Sequence, residues 1–302
     1  MRPRKILFVF IFLVATMCLL MISLIQTDSK LTLSPTNKCV VIVDREDIVY
    51  PYYGNRFGKH CLVALDWGEM CPELYTELGG KCNLIDGTIQ CPDIRNHAKF
   101  RNRQAQLVMT RMLRIFDLIA QKHNIDYWIF GGTLLGAARH HGFIPWDYDI
   151  DIEMPLEEYV KFFQVAAKDL PPDIFFQNSI SDPALNPDDP SGYYKHEIVG
   201  IYEATWNPRL RDRYSCYKFC MSYGCTWHDG LMIDMFVSPH MNRSAVLRRR
   251  ISFEGFTFPV QNDWEEYLIE NFGEKYFEVP IDQEPKESPD VFHGCEELKG
   301  SS

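Results

Sequence analysis

Asp147, Asp149 and Asp151 alternate through FIPWDYDIDIEM, a short way after Gly131 and Gly132. On an extended chain, carboxylates two positions apart share one face at a spacing of about 7 Å. They repel one another unless a cation sits among them. Hard oxygen donors of this kind suit Mg²⁺ or Mn²⁺, which bridge a carboxylate pair to the phosphates of a nucleotide. Glycines ahead of the strand let backbone N–H groups approach those phosphates, and a helix that starts there offers them its N-terminus. A third carboxylate from a neighbouring strand completes such a site. Asp234, an acid inside the apolar run Leu231 to Val237, is the candidate. D-x-D alone also fits a solvated strand face or a Ca²⁺ turn. The upstream glycines, the apolar opposite face and the lone acid in a later apolar strand together favour a nucleotide–metal site.

The elements that position these residues follow from periodicity. Val108, Met112, Ile115, Phe116 and Ile119 predict one long amphipathic helix within Lys99 to Asn124. Tyr127 to Phe130 is a short buried strand that Gly131-Gly132 ends, and a second helix covers Thr133 to His140. From Ile144 to Met154 the alternation predicts a strand with Tyr148, Ile150 and Ile152 inward and the aspartates on the other face. Pro155, with Glu157 and Glu158 near the positive end, opens a helix to about Leu170 with Leu156, Tyr159, Val160 and Phe163 inward. Residues 181–192 are a loop, and Arg209 to Tyr214 alternates as a strand that puts Arg211 and Arg213 on one face. Leu231 to Val237 is a strand, Trp264 to Phe272 a last helix capped by Gly273, and no internal repeat is present.

The N-terminus decides the compartment. Ile6 to Ile25 is an uncharged run of 20 residues, long enough to cross a bilayer. Arg2, Arg4 and Lys5 precede it with no basic cluster after it, so the positive-inside bias predicts a type II anchor with the N-terminus cytosolic and the chain beyond it in the lumen or outside. A cleaved signal peptide is the rival reading. The expected organisation is a cytosolic tail (1–5), a transmembrane signal anchor (6–25), a stem (26–38), a disulfide-pinned Cys-rich subregion (39–98), the main domain (99–280) and a flexible tail (281–302). Nine cysteines lie beyond the anchor, most expected in disulfides, with an odd one left for an intermolecular bond or another partner. Cys216, Cys220, Cys225 and His228 fit a structural Zn²⁺ by spacing, although disulfides are the stronger expectation in an oxidising lumen. Asn242 heads the sequon N-R-S. With 41 acidic against 31 basic residues and a net charge of −10, a general nucleic-acid binder is disfavoured.

Gly132-Thr133-Leu134-Leu135-Gly136-Ala137-Ala138-Arg139-His140, then Gly142 to Asp151, resembles the core motif of the LicD and fukutin-related family. Ile233-Asp234-Met235-Phe236 and the block Phe258-Pro259, Tyr267-Leu268, Phe272-Gly273 resemble it too. Tyr148 replaces the aspartate usual in bacterial members and matches the fukutin-related branch. The resemblance implies a nucleotidyltransferase-like α+β fold, a mixed sheet flanked by helices, and transfer of a phospho-alcohol, phosphocholine or ribitol phosphate in type, from a CDP-activated donor to a glycan hydroxyl with release of CMP. It implies Asp149 and Asp151 as metal ligands, and Asp234 as a third ligand or the base. Asp147 would bind metal through water or orient the acceptor. Gly131, Gly132 and Thr133 would line the phosphates, Arg139 would neutralise them or cap its helix, and His140 would bond an aspartate. Arg211 and Arg213 would bind phosphate or an anionic acceptor, or sit on a solvated edge.

Two other readings share these features. A GT-A glycosyltransferase also combines type II topology with D-x-D, but there the motif follows a nucleotide-sugar-binding domain instead of a Gly-Gly turn. A membrane-tethered, non-catalytic glycan-binding or scaffold protein would have no need to retain all four acids.

Overall fold

A computed structural model describes residues 48–49, 64–65, 68–178, 181, 208–215, 230–238 and 249–278. The apolar run 6–25, the Cys216–His228 cluster, Asn242 and the tail from 281 lie outside the described residues. Among the described residues no helix is long and apolar enough to cross a membrane.

The strands in chain order are β1 (Ile48–Val49), β2 (Ala64–Leu65), β3 (Gly68–Glu69), β4 (Asn83–Ile85), β5 (Thr88–Gln90), β6 (Trp128–Ile129), β7 (Ile150–Pro155), β8 (Ile174–Gln177), β9 (Arg209–Asp212), β10 (Met232–Ser238), β11 (Arg250–Phe253) and β12 (Phe256–Pro259). The helices are α1 (Arg101–His123), α2 (Gly131–His140), α3 (Leu156–Lys161) and α4 (Trp264–Phe272). Five strands form the central sheet in the order β6-β7-β10-β9-β8. Only β7 and β10 pair in parallel within it, which makes the sheet mixed. The expected mixed α+β architecture is therefore present.

The core gathers on one face of that sheet. Ile150, Ile152, Ile233 and Met235 are fully buried, so period-2 alternation turns Asp151 and Asp234 to the opposite face. The helix expected between Lys99 and Asn124 forms, and Asn124 ends it in the left-handed conformation. It is buried on nearly every side, because partners cover its polar positions as well. Arg111 Nε donates to Cys91 O at 2.7 Å, and the fully buried Asp117 accepts from Arg250 and from Tyr127 Oη.

The strand predicted from Ile144 starts only at Ile150. Gln106 Nε2 donates to the carbonyls of Ile144, Pro145 and Asp147, taking this stretch out of sheet pairing. Asp147 and Asp149 therefore lie in a loop, and Tyr148 is 41% exposed instead of pointing inward. The helix after Pro155 is also shorter than expected. It widens into a π turn at Phe162–Ala166 and tightens into a 3₁₀ turn at Ala167–Asp169, which keeps Phe162 and Ala166 buried and turns Val165 to solvent.

The N-terminal subregion joins the main core. A disulfide links Cys82 to Cys91 across the β4–β5 hairpin, and Tyr75 is fully buried. Glu254 is the junction: its carboxylate accepts from Tyr75 N and from both terminal nitrogens of Arg103, and its backbone N–H donates to His141 O.

Candidate active site

The carboxylates come together at the start of β7. Asp151 of β7 pairs in register with Asp234 of β10, and Asp234 in turn with Arg209 of β9. Residues opposite one another on adjacent strands project to the same side, so three strands deliver two acids and a guanidinium to one spot. Asp149 reaches in from the loop. One oxygen from each of Asp149, Asp151 and Asp234 lies within 4.8 Å of the others, a geometry able to hold a divalent ion.

Two glycines bring α2 against this cluster. Gly131 has φ +55°, and a Cβ there would stand 2.9 Å from Asp151 Oδ2. A Cβ on Gly132 would stand 3.1 Å from Asp147 Oδ2. Phe130 provides no side-chain cap for α2, and the two glycines set the first turn of the helix beside the carboxylates. Thr133 is buried, and its hydroxyl accepts from Asp151 N at 2.9 Å, pinning β7 to the helix.

Crowding shows in the protonation equilibria. Burial raises Asp151 to about 8, and the charges of Asp149 and Asp234 push the same way against Arg209. Burial, followed by Asp149, holds Asp147 well above the ordinary carboxylate range. Asp149 is raised by burial and by Asp234, with Asp147 and Arg209 opposing. Desolvation and like charge are the conditions that a bound cation would relieve.

The other expected site residues have other neighbours. Arg139 donates through Nε to His140 Nε2 at 3.0 Å and through Nη1 to the carbonyls of Tyr276 and Glu278, so it ties the end of α2 to the C-terminal segment. Burial lowers it to about 10, opposed by the charge of Asp147. Arg211 is buried and donates to Gln177 Oε1 at 2.7 Å and to Gly230 O at 2.9 Å. Arg213 lies just past the end of β9, its guanidinium 4.7 Å from the centroid of the Phe175 ring. It is not brought to the acids.

Three residues stand near the site to which the sequence assigned no role there. Arg209 contacts Asp234 directly and is 5% exposed. Glu153 continues the acidic face along β7 and accepts from Trp128 Nε1 at 3.0 Å and from Ser238 Oγ. Tyr267 of α4 stacks 5.1 Å from Phe130, and its hydroxyl is raised by burial, then by Glu153 and Asp151, with the Gly131 backbone opposing. Continued alternation to Glu153 was a usable signal. Arg209 gave none, because an arginine in a charged alternating stretch looks the same on a solvated edge.

Fold and site together define a mixed-sheet α+β domain with paired carboxylates on adjacent parallel strands and a glycine-led helix start beside them. Residues 124–182 match the family model described as LicD/FKTN/FKRP, nucleotidyltransferase domain. Lipopolysaccharide cholinephosphotransferase LicD of Haemophilus influenzae is 46% identical over 67 residues, 22% of this chain and 25% of the relative. Ribitol 5-phosphate transferase FKRP of Homo sapiens is 50% identical over 40 residues, 13% of this chain and 8% of its own length. An uncharacterised protein of Rickettsia typhi is 54% identical over 59 residues, 20% of this chain and 19% of the relative. The match spans a quarter or less of each relative's length.

Proposed function

We propose that this chain is a metal-dependent transferase that moves a substituted phosphate, of the phosphocholine or ribitol-phosphate type, from a CDP-activated alcohol to a glycan hydroxyl. The observation that carries the reading is the convergence of Asp149, Asp151 and Asp234 within 4.8 Å beside the glycine-led start of α2. The names of the Haemophilus and human relatives, which transfer cholinephosphate and ribitol 5-phosphate, support the substrate class.

Asp149, Asp151 and Asp234 would hold Mg²⁺ or Mn²⁺, hard ions that suit oxygen donors and neutralise a diphosphate. Arg209 keeps Asp234 oriented toward that position. The backbone N–H groups opening α2 bind donor phosphate oxygens. The acceptor oxygen attacks the phosphorus that bears the alcohol, the P–O bond to CMP breaks, and CMP leaves with the electron pair. The hydroxyl proton passes to a carboxylate, and we assign that role to Asp147, which stands beside Gly132 outside the trio. The charged run 1–5 and the apolar run 6–25 support a type II anchor with this domain in the Golgi or ER lumen, where the Cys82–Cys91 disulfide is at home.

The test is CMP release by the purified protein from CDP-ribitol, CDP-choline and CDP-glycerol, each with Mg²⁺ and with Mn²⁺. One donor should turn over, and Asp149→Asn should lower kcat at least about 100-fold, as loss of an electrostatic anchor for the transition state does. No release from any CDP-alcohol, with no cation-dependent thermal stabilisation, would overturn the reading.

A further inference from the structure

Arg209 of β9 is 5% exposed and stands beside the acids, its Nε donating to Asp234 Oδ1. A guanidinium carries N–H donors on three nitrogens, and that bond occupies one of them. Among the described residues neither Nη1 nor Nη2 of Arg209 has a hydrogen-bond partner, and neither is sealed in as Arg103 Nε and Arg114 Nε are, so both reach solvent. The other buried arginines differ. Arg103 gives both terminal nitrogens to Glu254, Arg139 gives Nη1 to the carbonyls of Tyr276 and Glu278, and Arg211 gives Nη1 to Gly230 O. A buried cation that keeps two donor nitrogens open marks a place where acceptors arrive from outside the protein.

The surroundings select the acceptor. Terminal N–H groups of a guanidinium form a planar fork that matches the oxygens of a phosphate or a carboxylate. One oxygen from each of Asp149, Asp151 and Asp234 lies within 4.8 Å of the others, so an anion approaching Arg209 is repelled unless a divalent ion sits among them. A diphosphate meets both conditions, because some of its oxygens bind such an ion while others remain for the fork. The strand holds the guanidinium in place: β9 lies between β10 and β8, with Arg209 opposite Asp234 on one side and Gln177 on the other. Arg211 turns to Gln177 and Gly230, and Arg213 to the ring of Phe175, so neither competes for the role.

We propose that Nη1 and Nη2 of Arg209 bind oxygens of the donor's diphosphate, in addition to the hold of Nε on Asp234. The word donor rests on the function proposed above, whereas metal-dependent diphosphate binding at Arg209 stands without it. Within that function the fork faces the group on which charge grows as the bond to CMP breaks, so it serves the transition state as well as binding.

The test is calorimetric titration of the full chain with Mn²⁺ alone, and then, at saturating Mn²⁺, with inorganic pyrophosphate and with glucuronate. Pyrophosphate should bind the more tightly of the two anions. Arg209→Lys keeps a cation for Asp234 without the fork, and Arg209→Met keeps much of the volume without the charge. Each should weaken pyrophosphate at least roughly ten-fold, the effect of losing charge-assisted hydrogen bonds. Affinity for Mn²⁺ alone should hold in the lysine variant and hold or rise in the methionine variant, where a positive charge beside the acids has gone; this also verifies their folding. Arg213→Ala should bind pyrophosphate as the parent does. Undiminished pyrophosphate binding in both variants, a loss of Mn²⁺ affinity as large as the loss for pyrophosphate, or tighter binding of glucuronate than of pyrophosphate would overturn the proposal. Pyrophosphate binding that depends on Arg209, without CMP release from any CDP-alcohol, would sink the transferase reading and leave this one standing. CMP release by both variants with the parent's kcat and KM would do the reverse.

Discussion

Asp151 pays for its neighbours in protonation. Its folded-state value of about 8 lies above the usual carboxylate value of about 4. The ion-free fold therefore holds a proton that the unfolded chain releases, and its stability falls as pH rises across that window. The melting temperature of chelated protein should drop between pH 5 and pH 8, and Asp151→Asn should flatten the slope. With the cation site proposed above, added Mn²⁺ should stabilise most at the upper end, where Asp151 is least protonated. Melting that rises with pH in the ion-free protein would contradict this cause. At the same scale, the acids were legible because charge at period 2 inside an apolar pattern is rare. The arginines were not, since Arg139, Arg209 and Arg211 owe their roles to carbonyls and carboxylates distant in the chain.

Among the elements, the junction of β6 with α2 is the most constrained. Gly131 combines a left-handed backbone with close approach to Asp151. Gly131→Ala adds about 1–2 kcal/mol of backbone strain and places a methyl against that carboxylate. CMP release should fall about ten-fold or more, a barrier change of roughly 1.4 kcal/mol, while far-UV circular dichroism stays that of the parent. Unaltered kcat/KM would show that the close approach is not needed. Helix α1, helix α2, β10 and α4 were readable from local periodicity. The onset of β7 was not, because Gln106, far back in α1, decides which carbonyls are free to pair. The β8 strand was missed as well, its partner β9 being remote in the chain, whereas the β11–β12 hairpin was missed despite a local signal, the tight turn at Glu254 and Gly255.

For the whole molecule, Glu254 gathers the N-terminal subregion, α1 and the loop after α2 on one buried carboxylate. Removing it leaves Arg103 charged and unpaired, a loss of about 3–5 kcal/mol. Glu254→Ala should lower the melting temperature sharply, and Glu254→Gln less so, as measured by calorimetry. Equal, small shifts would mean the junction is peripheral. This also bears on the expected boundary near residue 98: Tyr75 and Glu73 bond across it, so a chain cut there exposes what those contacts cover.

The parallel pairing of β7 with β10 is all-or-nothing. A slip by one position would bring Ile233 or Met235 opposite Asp151 and send Asp234 into the core. Misassembled copies would then lack any partial competence, so specific activity in a preparation would count its correctly threaded molecules.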